Sequence, residues 1–339
     1  MGMEVYDDIE RCFDSGWSDG LPVIPPYGSL VETMLKACGW SATELVGRIE
    51  KQHIEIRGEH LAAAAVMAGC KPEYGRFLRA VGEALVDPAL NLSGCEVTTG
   101  GVSTTVIASG PVVEELGFEH SANALGANNR VNATIGRFAQ LVRLFCGRAG
   151  GVLQAHGTVG HPGRLSFCIA EHPETIWPSF HTQFELPAEA SAATIMCTEG
   201  PISVNNHYAE TGEQILRTIS DAIAHFGTTN FYYRSGGYLI VIAPDHMELV
   251  QSAFTREEAQ RFIFEHAARP THDLIGVGRI ARDPAAMWEV RPGEMRRPVR
   301  SESQLSFVEA GKEGGKFSAV IPRWTANIEV VSKAVTPAN

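Results

Sequence analysis

The 339-residue sequence contains no long hydrophobic run, and its basic residues form no cluster. No stretch approaches the roughly 20 apolar residues that are needed to cross a bilayer, and the acidic start MGMEVYDDIERCFDSGW lacks an apolar signal core. The 28 lysines and arginines are outnumbered by 39 aspartates and glutamates, so the formal net charge is −11 and no basic face is available for phosphate backbones. We therefore expect a soluble cytoplasmic protein that binds neither nucleic acid nor membranes.

Sequence motifs of common metal and cofactor sites are also missing. The seven cysteines form no CxxC pair, and in a reducing compartment most of them are expected to be free thiols that pack as small apolar groups. There is no HExxH motif. The main glycine-rich stretch precedes a strand-like run, whereas a dinucleotide fingerprint requires a strand, then the glycines, then a helix. The first expectation is therefore a protein without a cofactor.

Three apolar runs each stop at a polar or proline-rich corner that precedes a helix-like segment. The runs are AAAAVMAGCKPEYGRFLRAV, LSFCIAEHPETIWPSFHTQF and YLIVIAPDHMELVQSAF. Each predicts a β-strand, a corner and a helix, with a carboxylate where the first turn of a helix favours negative charge. Aligning the corners gives equivalent positions to Cys70, to Glu171 with His172, and to Asp245 with His246.

A second set of apolar runs follows, namely STTVIASGPVVEEL, AATIMCTEGPISV and KFSAVIPRWTANI. In the first two copies an amphipathic helix comes next, in NATIGRFAQLVRLFCGRAGG and GEQILRTISDAIAHFGTTNF. The sequence therefore predicts an α/β fold of three pseudo-repeated βα-type units, residues 55–150, 151–235 and 236–339, around a pseudo-threefold axis. Residues 1–54 form an N-terminal helical extension with a proline-rich segment. The alternative is a single α/β domain in which buried strands resemble one another.

The stretch HGTVGHPGRLSFCIAEH, residues 156–172, places histidines, a cysteine and a glutamate around a glycine-rich turn. Its glycines and Pro162 predict a tight loop, and the following apolar residues predict a strand. The loop could present backbone N–H groups to an anion, although a simple turn into a buried strand explains the same pattern. The chemistry of this stretch is predicted to lie at Glu171 and His172, where the strand ends.

Histidine and cysteine are also ligands of zinc and iron. Within the stretch, His156, His161, Cys168 and His172 have no recognised ligand spacing. A metal site would therefore need His246, from another repeat unit, to join His161 and His172. This arrangement is the alternative to a protein without a metal.

Cys70 is the thiol best placed for nucleophilic catalysis, because a helix N-terminus lowers the pKa of a thiol and makes the thiolate reactive. The alternative is a cysteine that packs in the core. His172 and His246, at the same corner in their copies, are the predicted general acid and base, since an imidazole titrates near neutrality. Glu171 and Asp245 are the predicted orienting carboxylates. Either histidine could instead cap a helix or lie on the surface.

Residues 127–137, ANNRVNATIGR, form a polar segment before a predicted helix, with Asn132 as the predicted N-cap. Arg130 and Arg137 could hold a substrate carboxylate by bidentate pairing. Helix capping and surface charge explain the same residues equally well. His161, from the glycine-rich loop, completes the predicted substrate-binding group.

An ordered set of short motifs covers most of the chain: WSDGLPVIPP (17–26), VMAGCKPEY (66–74), NATIGR (132–137), GHPGRLSFCIAE (160–171), and a PDH corner followed by TREEAQRFIFEHA (244–267). In this order the motifs resemble a bacterial family related to the UGSC-motif proteins, which carry a selenocysteine or cysteine motif. The resemblance implies an enzyme-like soluble protein, redox or thiol chemistry, and a partner subunit that carries the thiol motif. The sequence itself has no CGSC, and its nearest tripeptides are Ala68-Gly69-Cys70 and Ser93-Gly94-Cys95.

These residues together predict a hydrolase or lyase that cleaves a small polar, carboxylate-bearing substrate by thiol and acid–base catalysis. The first alternative is a zinc- or iron-dependent hydrolase or lyase that uses the three histidines as ligands. The second is a non-catalytic ligand-binding subunit of a thiol or selenol redox complex. A homo-oligomer is expected because enzymes of this size commonly assemble symmetrically.

Overall fold

A computed structural model describes residues 2–49, 53–126, 129–149, 157–234, 236–278, 293–324 and 329–337. The chain is a mixed α/β protein whose two four-stranded sheets combine parallel and antiparallel strands. It divides into two compact units. Unit 1 comprises residues 1–173, 179–197 and 329–339, and unit 2 comprises residues 174–178 and 198–328. None of the described helices combines the length and apolar character that a membrane span requires.

Unit 1 contains seven helices among its described residues. They are α1 (Gly2–Asp14), α2 (Gly28–Cys38), α3 (Gly58–Ala68), α4 (Gly75–Leu85), α5 (Leu92–Val97), α6 (Val112–Leu116) and α7 (Arg130–Ala149). Its strands are β1 (Leu45–Ile49), β2 (Ile54–Arg57), β3 (Ser103–Ser109), β4 (Cys168–Ala170), β5 (Ala192–Thr198, whose last residue belongs to unit 2) and β12 (Val331–Ala334). The strands β1 and β2 form an antiparallel pair, and the other four form a sheet in the order β12-β5-β3-β4.

Helix α7 packs against β3 and β4. Its buried residues Ile135, Phe138, Ala139 and Val142 recur at the three- and four-residue spacing of one helix face, which is the pattern that predicted this helix. All seven residues of β3 are buried, as expected for a strand covered on both faces. This packing fixes where the carboxyl ends of β3 and β4 lie.

Unit 2 is built on a sheet in the order β10-β7-β11-β6, with β7 parallel to β10 and antiparallel to β11. Its strands are β6 (Ile202–Asn205), β7 (Tyr238–Ile242), β8 (Arg269–Pro270), β9 (Met295–Arg296), β10 (Leu305–Glu309) and β11 (Phe317–Pro322). Its helices are α8 (Gly212–Ile223), α9 (Thr229–Tyr233), α10 (Pro244–Gln251), α11 (Arg256–His266) and α12 (Thr271–Gly276). Helices α8, α10 and α11 bury their apolar faces with the inner residues of β7 and β10 in one core.

The prediction of a strand in AAAAVMAG is wrong, because these residues belong to helix α3. Alanine has the highest intrinsic helix propensity, and a run of four alanines favours a helix more than the β-branched character of one valine favours a strand. Gly69 ends the helix in the left-handed conformation, with φ +88, and its N–H donates to the carbonyls of Ala65 and Val66. The corner at Cys70 therefore follows a helix.

The helix predicted after Glu171-His172 is also absent as an α-helix. Residues 173–179 are turns and irregular backbone, and only the 3₁₀ segment Phe180–Phe184 follows. Pro178 accounts for this, since a proline in a helix interior removes a hydrogen bond and clashes with the preceding turn. By contrast, the helices predicted in GRFLRAV, NATIGRFAQ, GEQILRTIS and PDHMELVQ are confirmed. A threefold pseudo-repeat is not evident among the described residues, and the boundaries at residues 55, 151 and 236 stay a prediction.

The cysteines behave as the sequence predicts. All seven are buried and none forms a disulfide, so they serve as small apolar groups.

Candidate functional site

The carboxyl ends of β3 and β4 meet at one edge of the unit 1 sheet. The two strands are parallel, with Ala108 opposite Ala170, and the N–H of Glu171 donates to the carbonyl of Ala108 at 2.9 Å. Ligands of sheets with parallel strands bind outside the carboxyl ends of those strands. The residues that follow the two strands, Gly110-Pro111 and Glu171-His172, are therefore at the edge where a ligand site is expected.

A cleft of about 260 Å³ lies at this edge. Four ionisable side chains line it, and three of them are carboxylates. The lining residues are Gly110, Pro111, Glu114, Glu171, His172, Pro173, Ser179, Ala188 and Glu189. The cleft thus includes the two residues that the sequence singled out at the end of β4.

Glu171 and His172 hold different positions in the cleft wall. Glu171 is only 4% exposed, and its Oε1 accepts a hydrogen bond of 2.7 Å from the N–H of Phe180. His172 is half-buried and meets the ring of His120 edge-on, with 4.7 Å between the ring centroids. Glu171 is thereby fixed by the backbone, while the imidazole beside it reaches the cleft.

A fully buried pair of side chains, Ser109 and His181, lies next to the cleft. Ser109 directly precedes Gly110, which lines the cleft. The hydroxyl of Ser109 lies 2.9 Å from Nδ1 of His181, and Nε2 lies 2.9 Å from the carbonyl of Pro187. A carbonyl only accepts, so Nε2 donates to Pro187 and the ring orientation is fixed. Sequence reasoning missed this pair. The available signal was the position of Ser109 at the end of a predicted strand.

Cys70 does not have the electrostatic environment that a nucleophilic thiol needs. The residue is 7% exposed, and its Sγ donates to the carbonyl of Thr134 at 3.3 Å. Burial raises the pKa of the thiol to about 12, and this outweighs the opposing effects of the hydrogen bond to Thr134 and of Arg130 and Arg137. The expected lowering of the pKa is therefore wrong, because burial of the thiol dominates, and Cys70 comes two residues after α3 ends at Ala68.

The two arginines predicted to clamp a carboxylate are engaged within unit 1. Arg130 donates from Nε and Nη2 to the carbonyl of Gly69, at 3.2 and 3.0 Å. Arg137 forms a bidentate pair with Asp19, at 2.9 and 2.8 Å, and also donates to two carbonyls of the WSDGLPVIPP segment. Arg137 thus anchors that segment to α7.

Asn132 is not the N-cap of α7. The helix begins at Arg130, and the side chain of Asn129 accepts from the N–H groups of Val131 and Asn132, at 2.7 and 3.4 Å. The predicted cap is therefore three residues late. Asn132 is instead buried, and its amide exchanges two hydrogen bonds of 2.9 Å with the backbone of Glu119.

Asp245 and His246 lie in unit 2, in the first turn of α10. The carboxylate of Asp245 accepts from backbone N–H groups of the loop 314–316. His246 is 1% exposed, with Nδ1 2.8 Å from the hydroxyl of Ser318 and Nε2 3.2 Å from the carbonyl of Asn206. Burial lowers the pKa of His246, and the hydrogen bond to Asn206 and the charge of Asp245 oppose this only in part. Both side chains therefore contribute to the packing of unit 2.

His246 is expected to make the stability of the protein depend on pH. Its pKa in the folded state is below the unfolded value of about 6.5, so its contribution to the free energy of unfolding is complete above pH 6.5 and declines as the pH falls toward the folded pKa. Urea unfolding between about pH 7.5 and pH 5 should show a steeper loss of stability in the wild type than in His246→Gln. Equal slopes in the two proteins would contradict this assignment.

Two of the three predicted metal ligands, His161 and His246, make hydrogen bonds within the protein, and the metal alternative stays a prediction. His161 accepts from the N–H of Gly163 through Nδ1 at 3.2 Å, and its Nε2 lies 3.1 Å from the hydroxyl of Ser103. Within the part of the chain that the structure describes, no group of three His, Cys, Asp or Glu side chains is arranged to hold a metal ion. His156, the remaining histidine of the glycine-rich stretch, lies outside the described residues.

Comparison with known proteins does not identify a family for this chain. No protein-family model matches the sequence, and no curated protein is detectably similar to it. The resemblance to the UGSC-motif proteins, the thiol-bearing partner and the homo-oligomer therefore stay predictions.

Proposed function

We propose that the chain is a hydrolase or lyase that cleaves a small polar substrate in the cleft at the carboxyl ends of β3 and β4. The observation that supports this proposal is the convergence of one imidazole and three carboxylates on a cleft at the edge where ligand sites form. A volume of about 260 Å³ suits a small molecule.

His172 acts as the general base or acid, because it carries the imidazole of the cleft lining, and imidazole is the side chain that enzymes use most often for proton transfer. It removes a proton from water or from a substrate carbon, and it returns a proton to the leaving group. Glu171, whose Oε1 accepts from the N–H of Phe180, supplies a carboxylate of fixed position to the same cleft. Thiol catalysis by Cys70 is left out, because its buried thiol stays protonated at neutral pH.

The charge of the cleft argues for a substrate other than the carboxylate that the sequence suggested. Two of the lining carboxylates, Glu114 and Glu189, are exposed, and the described lining residues include no arginine or lysine, so an anionic ligand would be repelled. Arg130 and Arg137, which were expected to bind a carboxylate, have partners elsewhere. The proposed substrate is therefore a neutral or cationic molecule that carries hydroxyl, amide or amino groups.

The experiment is a turnover screen of small amides, amino alcohols and amines, scored by released ammonia or by mass change. On any substrate that the wild type converts, His172→Ala should lower kcat by about 10²- to 10⁴-fold, because general acid–base catalysis typically contributes that much. Glu171→Gln should lower kcat less, since it alters only the charge beside the base. The matched control is His272→Ala, whose side chain is 77% exposed in unit 2. Wild-type turnover by His172→Ala would exclude the proposed role.

A further inference from the structure

A second cavity in unit 1 has the opposite electrostatic character to the proposed catalytic cleft. It measures about 450 Å³ and shares no lining residue with that cleft. It lies among the end of α1, the start of the WSDGLPVIPP segment, the middle of α7 and the glycine-rich loop. Its polar lining comes mainly from Ser18, Asp19, Gln140, Arg143 and Arg164.

Two of the charged groups that line this cavity are neutralised by partners of their own. Arg143 forms a buried ion pair with Glu96, in which the two side chains are 4% and 3% exposed. Asp19 forms the bidentate pair with Arg137 described above. These two pairs contribute no net charge to the cavity.

Arg164 is the exception. Its Nη1 donates to the carbonyl of Val102 at 2.6 Å, which orients the guanidinium but does not neutralise it. Among the described residues no carboxylate forms an ion pair with Arg164. The cavity therefore carries one uncompensated positive charge on a half-buried side chain, and the guanidinium keeps donors that Val102 does not use.

The surroundings of Arg164 disfavour its charge. Burial is the main cause that lowers the pKa of its guanidinium, and the nearby Arg143 lowers it further, against the partial compensation from Glu96. An anion in the cavity would reduce the burial penalty, since it would replace the lost hydration of the Arg164 guanidinium with charge-assisted hydrogen bonds. Guanidinium groups are well suited to this because their planar donor pairs match the oxygens of carboxylates and phosphates.

We infer that the cavity beside the glycine-rich loop is a binding site for a small oxyanion, a carboxylate or a phosphate, which pairs with Arg164. The loop contributes by its shape. Gly160 adopts φ +71, and a Cβ added there would lie 3.3 Å from the Cδ of Arg164, so the missing side chain leaves room for the arginine at the cavity wall. The site is separate from the proposed catalytic cleft, and it stands or falls independently of the proposed function.

The test is isothermal titration of the full chain with inorganic phosphate and, in a second arm, with succinate, at constant ionic strength maintained with sodium chloride. We expect saturable binding of at least one probe, and roughly tenfold weaker binding in Arg164→Gln. Phosphate without succinate would identify the phosphate class, and succinate without phosphate the carboxylate class. The control is Arg261→Gln, whose 59% exposed side chain lies in unit 2 and which should bind like the wild type.

A second measurement needs no variant and so remains informative if Arg164→Gln does not fold. Phenylglyoxal labels accessible guanidinium groups, and peptide mapping of the wild type should show that the bound probe slows the labelling of Arg164 and leaves the labelling of Arg261 unchanged. The inference is overturned if neither probe binds saturably at constant ionic strength. It is also overturned if Arg164→Gln binds as tightly as the wild type, or if the probe does not slow the labelling of Arg164.

Discussion

Replacing Glu96 with alanine is expected to lower the free energy of unfolding of unit 1 by about 3–5 kcal/mol. Glu96 on α5 and Arg143 on α7 are among the most deeply buried charged residues of unit 1, and Arg143 also donates from Nε to Gln140 at 3.0 Å. Removing the carboxylate leaves a guanidinium that is only 4% exposed without its counter-charge. Urea unfolding followed by circular dichroism gives the loss directly.

Two further variants separate this mechanism from a general effect of truncation. Glu213→Ala removes one partner of an ion pair with Arg217 in which both side chains are more than half exposed, so it should cost less than about 1 kcal/mol. The double variant Glu96→Ala with Arg143→Met should be more stable than Glu96→Ala alone, because no charge is left buried without a partner. A loss below about 1 kcal/mol in Glu96→Ala would show that water or another group solvates the arginine.

The elements that sequence patterning predicted well are those whose local pattern has only one interpretation. The helix α7 repeats apolar residues at three- and four-residue spacing, and β7 combines five buried residues with a proline that begins the next helix. The run AAAAVMAG is different, because an apolar run of this length fits a buried strand and a buried helix equally well. Its alanines and the glycine that caps it were the features that favour a helix.

Only the part of the candidate site that lies at the end of a predicted strand could be predicted from the sequence. Glu171 and His172 follow a predicted strand, and the parallel pairing of β4 with β3 places them at the edge where ligands bind. The pair of Ser109 with His181 was not predictable, since 72 residues separate its members and no local pattern links them.

The sequence also could not predict whether Arg130 and Arg137 are available to bind an anion. Their spacing suits a clamp for an anion, but whether an arginine is available depends on partners from distant parts of the chain. Arg137 pairs with Asp19, which is 118 residues away in the sequence, whereas Arg164 donates only to the neutral carbonyl of Val102. The same residue type therefore anchors a segment in one place and leaves an uncompensated charge in another, and only the three-dimensional structure distinguishes the two.

Replacing Gly110 with alanine is expected to destabilise unit 1 by about 3–5 kcal/mol. Gly110 follows β3 with φ +81, in the left-handed region that side chains rarely adopt, and its added Cβ would overlap the carbonyl oxygen of Ala190. This collision is with backbone, so no rotamer change relieves it. Because Gly110 lines the proposed catalytic cleft, backbone displacement should also weaken ligand binding there.

The matched control is Gly117→Ala in the same unit. Gly117 also has a positive φ, +69, but an added Cβ would have no atom within 4 Å. The Gly117→Ala substitution should therefore lower the free energy of unfolding by only about 1 kcal/mol, which is the backbone penalty of a side chain at positive φ. The difference between the two variants in urea unfolding isolates the cost of the contact between residues 110 and 190. If the two variants lose the same free energy of unfolding, the backbone around Ala190 moves to accommodate the added methyl group. The cleft wall would then be adaptable at the contact between Ala190 and Gly110, the residue that follows β3.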